Sequence, residues 1–314
     1  MFTRRALMGA VAALSLLGGG QSAFAQDRMY VALISKGFQH QFWQAVKQGA
    51  DRAGTDLGVE VSFDGPDNET QVDKQMDMLA AALAKKPAAI GLAALDSQAL
   101  IPQLKQAQAA KIPVIAFDSG VEGDIPVATA STDNLAASAL AADRMAELLG
   151  GEGRIAVIGH SQTSTTGIDR RDGFLNRINE KYPQIEVVAT EYGDGDQLKS
   201  TEITKAILAA NPDIKGIFGT NEGSAIGVLN GVREMGAKIV VIGFDSGKAQ
   251  KDAIRDGVMA GAITQNPVGI GYETVKAAVA AARGEAVPKR IDTGFYWYDK
   301  SNIDDPKIAA VLYD

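Results

Sequence analysis

Apolar residues in this chain come in short runs, separated by helix-length stretches of mixed character. The clearest example spans Ile214 to Ser246. The apolar run Ile214 to Phe218 ends in Gly219-Thr220-Asn221-Glu222. A segment with apolar residues at Ile226, Leu229, Val232 and Met235 follows, at helical spacing. A second apolar run, Ile239 to Ile242, ends in Gly243-Phe244-Asp245. Strand, helix, strand in this order makes the two strands parallel. Ligands of open α/β sheets bind beyond the carboxyl ends of the strands, so Asn221 and Asp245 are expected side by side at the rim of a site.

The same alternation runs through the rest of the chain. Strands are predicted at Met29 to Ile34, Val59 to Phe63, Ala88 to Ala93, Pro113 to Phe117 and Val127 to Ala130. Helices are predicted at Gln39 to Gly54, Asn68 to Lys86 and Ala99 to Ala110. The pattern then restarts. Asp133-Asn134 can cap a helix running to Leu149. Strands follow at Ile155 to Ile158, Ile185 to Thr190 and Met259 to Thr264, in addition to the two named above. Helices are expected near Asp169 to Lys181, Gln197 to Ala210, Lys248 to Asp256 and Pro267 to Arg283. Short extended pieces lie around Ile291 and Phe295 to Trp297. Two βα arrays of similar length predict an α/β fold of two doubly wound parallel-sheet lobes. The surplus elements at the end have to pack somewhere, and a return to the first lobe accommodates them. No long Pro/Gly/Ser linker separates the lobes, which fits several short crossings.

The amino-terminal segment stands apart. Arg4 and Arg5 precede the apolar stretch Ala6 to Leu17, and Ala23-Phe24-Ala25 reads as a small-x-small cleavage site. Residues 1–25 are therefore read as a secretory signal peptide, with Sec export expected and a weaker likeness to a twin-arginine signal at Thr3 to Met8. Composition narrows the function classes. The net charge is −7 and the basic residues are scattered, against the basic face that nucleic acid requires. There is no cysteine, hence no disulfide or thiolate chemistry. His40 and His160 are the two histidines, too few for a histidine-rich metal site. No metal and no cofactor is expected.

Enzyme motifs fail on inspection. Gly159-His160-Ser161-Gln162-Thr163 starts like a hydrolase nucleophile elbow, but Thr163 stands where the second glycine belongs and no histidine follows the serine. Gly243 to Lys248 is one residue short of a phosphate loop, and Ala249 replaces the magnesium-binding hydroxyl. The chain is not expected to be an enzyme.

At Ile112 to Asp118, Asn221-Glu222 and Val241 to Asp245 the chain resembles the ribose-binding protein family. Phe42-Trp43, Asp133-Asn134, Arg170 to Phe174 and Gln265-Asn266-Pro267 fall in that family's order and spacing. The resemblance implies the type I periplasmic binding protein architecture, in which two lobes are joined by a three-crossing hinge. The crossings fall near Ser131-Thr132, Gln265-Asn266 and Asp292-Thr293. The lobes are then residues 26–131 plus 266–292 and residues 132–265 plus 293–314. It also implies a periplasmic receptor that delivers a small sugar or polyol to an ABC permease and its ATPase in the inner membrane, as a monomer, by closing around the ligand.

Site roles follow from the same resemblance. Phe42 and Trp43 would pack on the C–H faces of a sugar, unless one ring belongs to the core. His40 either contacts the ligand or sits solvated at a helix start. Asp118 and Asp245 would accept hydrogen bonds from hydroxyls, Asn221 would donate and accept, and Gln265 would supply a hinge-side amide. Arg170 either touches the ligand or braces a helix start. Ser119 stands where ribose binders have an arginine, Ala93 where they have an asparagine, and Ile168 or Gly167 where they have a second arginine. These departures point away from ribose and toward another small sugar, a deoxy sugar or a polyol. Two other roles share the fold: the ligand domain of a LacI-type regulator, and a sugar sensor for chemotaxis or signalling. The regulator would need a helix-turn-helix head, which the amino terminus does not offer.

Overall fold

The computed structural model describes residues 28–314, so the predicted signal peptide lies outside the described residues. The first half runs β1 (Tyr30–Ile34), α1 (Gln41–Leu57), β2 (Glu60–Asp64), α2 (Val72–Ala84), β3 (Ala89–Leu92), α3 (Ile101–Ala109), β4 (Val114–Phe117) and β5 (Ala128–Ser131). It continues with α4 (Asn134–Leu149), β6 (Gly153–Gly159), α5 (Thr165–Lys181), β7 (Ile185–Tyr192), α6 (Gln197–Ala210), β8 (Gly216–Gly219), α7 (Glu222–Met235) and β9 (Val240–Phe244). The chain ends with α8 (Lys248–Arg255), β10 (Gly261–Gln265), α9 (Pro267–Ala282), β11 (Arg290–Asp292), β12 (Phe295–Tyr298) and α10 (Pro306–Ala309).

Two six-stranded sheets result, in the orders β11-β5-β4-β3-β1-β2 and β12-β10-β9-β8-β6-β7. Their pairings are parallel except β10 with β12, an antiparallel edge pair of a kind common on otherwise parallel sheets. The strands are apolar on both faces because helices cover both. In β1, Val31 and Leu33 join the core under α1 and α9, while Ala32 and Ile34 join the core under α2 and α3. In the second sheet Ile217 and Val241 face one core, and Phe218 and Ile242 face the other.

The chain passes between sheets three times. It leaves the first after β5, returns with α9 after β10, and passes from β11 in the first sheet to β12 in the second. The surplus elements therefore divide. Helix α9 packs on α1, β11 adds to the first sheet, and β12 closes the edge of the second.

Two boundaries differ from expectation for identifiable reasons. Helix α1 runs through Gly54 and stops at Gly58, whose left-handed backbone (φ 67°) ends it. Gly54 is instead a packing glycine, since a Cβ there would come within 2.9 Å of Val61 on β2. Helix α5 begins at Thr165 rather than Asp169, because the Ser164 hydroxyl accepts from the Gly167 amide and caps it early.

The contact of α9 with α1 depends on two further glycines. A Cβ at Gly271 would sit 1.9 Å from the Val46 carbonyl oxygen, and one at Gly49 would sit 2.0 Å from that of Val268. Backbone cannot yield as a flexible side chain does. Gly271→Ala is expected to destabilise the fold by about 1–3 kcal/mol through forced separation of the helices. Urea unfolding checks this, and an unchanged midpoint would mean the helix pair can slide apart without cost.

Candidate functional site

The carboxyl ends of both sheets face one cleft, lined by side chains from both. From the first sheet come Lys36 after β1, Glu69 in the connection from β2 to α2, and Asp118 after β4. The start of α1 adds His40, Phe42 and Trp43. From the second come His160 after β6, Asn221 after β8, Asp245 after β9, Gln265 ending β10, and Arg170 from the second turn of α5.

Parallel pairing brings the second group together. Strand β9 lies between β8 and β10, so the residues following all three meet. Asp245 Oδ2 accepts from the Glu222 amide at 2.9 Å, and Asp245 Oδ1 accepts from Gln265 Nε2 at 2.7 Å. Asn221 is also the cap of α7, its Oδ1 accepting from the Ser224 amide at 2.8 Å, which leaves its Nδ2 donor for other partners. Asp118 and Asp245 both adopt left-handed backbone, with φ of 54° and 78°. Aspartate tolerates this region better than most side chains, and such conformations cluster at functional sites.

The charges are buried and interlocked. Lys36 Nζ lies 3.1 Å from Asp118 Oδ2 and donates to Thr166 Oγ1 at 3.0 Å. Arg170 donates to Asn134 Oδ1 (2.8 Å) and to the Thr220 carbonyl (2.9 Å), and its guanidinium stacks 3.8 Å over the Phe244 ring. It stands 4.0 Å from both Asp118 and Asp245. Burial pushes the Asp245 carboxyl above its ordinary range, although Arg170 and the Gln265 and Glu222 hydrogen bonds pull it back. Glu69 accepts from the Trp43 indole at 2.8 Å. Burial would raise its carboxyl too, but the nearby charges of Lys36 and His40 outweigh it and hold Glu69 below the ordinary value.

Among the described residues, several buried polar atoms have no protein hydrogen-bond partner: both ring nitrogens of His40, Asp118 Oδ2, which faces Lys36 without the angle of a hydrogen bond, and Gln265 Oε1. Buried polar groups are ordinarily satisfied. A cavity offering unpaired acceptors beside aromatic edges suits a ligand rich in hydroxyls.

Eight of the nine predicted residues border this cavity: His40, Phe42, Trp43, Asp118, Arg170, Asn221, Asp245 and Gln265. Ser119 does not. Its side chain is fully buried and its Oγ pairs with Thr165 Oγ1 at 3.1 Å, a contact from one lobe to the other. Phe42 is both core and lining, packed edge-on to Trp43 at 4.9 Å. Arg170 lies in the second turn of α5 and does not brace the start of that helix, but it borders the cavity and donates to Asn134 at the start of α4. Sequence reading missed Lys36, Glu69 and His160. Lys36 and His160 follow apolar strands, and the rule used for Asn221 and Asp245 would have found them. Glu69 lies in a loop with no such signal.

His160 is 3% exposed, with Nδ1 2.8 Å from Thr220 Oγ1 and Nε2 3.2 Å from Thr166 Oγ1. Burial, then the charges of Arg170, Lys36 and His40, hold it well below its ordinary value of 6.5. The unfolded chain takes up a proton near that pH and the folded chain does not. Stability from this residue is thus intact above pH 6.5 and is lost as pH falls, by at most about 1.4 kcal/mol per unit. His160→Gln should remove that slope between pH 7 and 5 in denaturation curves. Parallel curves for variant and wild type would show that His160 protonates in place.

Among the described residues, no cluster of potential metal ligands occurs, and no helix is long and apolar enough to cross a membrane.

Comparison with known proteins agrees with this architecture. The family model described as "Periplasmic binding protein domain" matches residues 31–286. The D-allose-binding periplasmic protein of Escherichia coli is 29% identical over 278 residues, spanning 85% of this chain and 88% of that one. The crystal structure of a carbohydrate transporter solute-binding protein from Agrobacterium radiobacter, in complex with D-arabinose, superposes with a TM-score of 0.88 at 34% identity, covering 92% of this chain and 100% of that one. An ABC transporter solute-binding protein from Agrobacterium vitis with bound D-fucose gives 0.87 at 35% identity, covering 90% and 100%. With its two parallel-sheet α/β lobes and a family match across most of its length, the chain belongs to the periplasmic binding protein domain family.

Proposed function

We propose that this protein is a periplasmic receptor for a small neutral sugar or polyol, which it hands to an ABC-type uptake permease. The observation that carries the reading is the cleft between the sheets, where Asp118 Oδ2 on one side and Gln265 Oε1 on the other are buried acceptors without a protein hydrogen bond among the described residues, beside the aromatic rings of Phe42 and Trp43. A molecule with several hydroxyls gains bonds from both lobes only when they are together, so it favours the closed arrangement. Hinge closure around a ligand is the general mechanism of periplasmic binding proteins. The moving bodies are residues 26–131 plus 266–292 and residues 132–265 plus 293–314, the division that the three chain crossings support.

Relatives that bind D-allose, D-arabinose and D-fucose support a monosaccharide as ligand and transport rather than gene regulation. The lining carboxylates Asp118, Asp245 and Glu69 outnumber the cations Lys36 and Arg170, which disfavours an acidic sugar. Binding without turnover is the expected activity. Residues 1–25 would direct export, and the mature chain would act as a monomer.

A thermal-shift screen of the protein against aldoses, ketoses, deoxy sugars and polyols tests the reading. A ligand that binds only the folded state raises the melting temperature by mass action. A clear rise with one sugar class supports it, and a flat response across all classes refutes it.

A further inference from the structure

Two helices at the lobe interface are capped by residues of the opposite lobe. Helix α1 begins after His40, whose side chain makes no capping bond, and its first turn carries no acid. Its first amides are instead taken by Glu222, which opens α7 in the other lobe. Glu222 Oε1 accepts from the Gln41 amide at 3.1 Å, and Glu222 Oε2 accepts from the Phe42 amide at 3.2 Å. The favour is returned at α8, whose cap position, Gly247, has no side chain to offer. There Gln41 Oε1 accepts from the Lys248 amide at 2.7 Å. By contrast α4, α5, α6, α7 and α9 are each capped by the residue directly before them.

Glu222 is 4% exposed and does not border the cavity. A carboxylate across the first amides of a helix is favoured by charge-assisted bonds and by the helix dipole. When the lobes part, those amides return to water and lose the carboxylate. Glu222 also touches the site from behind. Its own amide holds Asp245, and its carboxylate holds the Phe42 backbone.

We propose that Glu222 and Gln41 form a reciprocal cap that holds the lobes closed without touching the ligand, so that a closed population exists in the ligand-free protein. Glu222 is then a positioning residue that sets affinity through the closure equilibrium. This rests on the hinge-closing receptor reading above, but its test uses no sugar, so the two can fail separately.

The chain has no native cysteine, so spin labels can be placed by Thr70→Cys and Leu198→Cys, exposed positions on opposite lobes, of which Leu198 lines a groove beside His40 and Thr70 is bonded to Asn68 in the same groove. Distances between them are read by double electron–electron resonance in the ligand-free protein. The expected result is a short-distance population whose ratio to the long-distance one falls about tenfold in Glu222→Ala. Glu222→Gln, which keeps one acceptor and loses the charge, should fall by less, as should Gln41→Ala. These two also stand in if Glu222→Ala fails to fold. A ligand-free wild type with no short-distance population would overturn the proposal, and so would an unchanged ratio across the variants.

Discussion

Asp245→Ala is expected to weaken ligand binding about a hundredfold or more while the protein still folds. The carboxylate is 4% exposed and borders the cavity, and hydrogen bonds to a charged group contribute about 1.5–3 kcal/mol each. Its loss also frees Gln265 Nε2 and leaves the Glu222 amide without its acceptor, so the second lobe's face of the site loosens. The backbone at 245 has φ 78°, which alanine tolerates poorly. Asp245→Gly therefore serves as a partner variant that removes the carboxylate and relieves the backbone. Both should lose affinity to a similar degree by titration calorimetry with the sugar found in the screen. The glycine variant should melt no lower than the alanine one. Wild-type affinity in both would remove Asp245 from the site.

Arg170→Ala should produce the largest loss of stability, about 3–5 kcal/mol by urea unfolding at neutral pH. The guanidinium is buried between Asp118 and Asp245 and satisfies Asn134 and the Thr220 carbonyl. Removing it leaves two buried carboxylates with Lys36 alone to answer them. Arg170→Met keeps packing on Phe244 without the charge, and separates the two contributions. If packing dominated, methionine would restore most of the stability. If charge dominates, as the geometry indicates, methionine remains strongly destabilised.

The pH dependence has a definite sign. Asp245 already sits above its ordinary carboxyl range because of burial, and Arg170 is among the groups restraining that rise. Without Arg170 it rises further. A carboxyl raised in the folded state favours folding below its unfolded value and loses that contribution as pH climbs through the folded value. The deficit of both arginine variants should therefore shrink as pH is lowered from 7 toward 4. A deficit that grows on acidification would mean that Asp245 is not the group left unbalanced.

Local signals carried much of the fold. The boundaries of α6 and α7 follow from periodicity and from the Asp196 and Asn221 caps, whose side-chain bonds span three residues. Such bonds are written into adjacent positions and can be read there. The error at α1 arose because glycine has two uses. Gly58 ends the helix through its backbone freedom, while Gly54 lies within it to admit Val61 from β2. Which use applies depends on a strand that has yet to pack.

The sequence by itself determined the alternation of apolar runs with helical segments, and with it the placement of Asp118, Asn221 and Asp245 just past strand ends. A parallel sheet obliges such residues to share one edge. Tertiary structure decided which of them face one cavity and what answers their charge. Lys36 meets Thr166 across 130 positions, and Glu222 meets Gln41 across 181. Ser119 turned away to Thr165, and Glu69 was drawn in by the Trp43 indole. These partners share no local pattern, because each pairing is set by the balance between burying a charge and finding a counter-group, and that balance exists only once the two lobes meet.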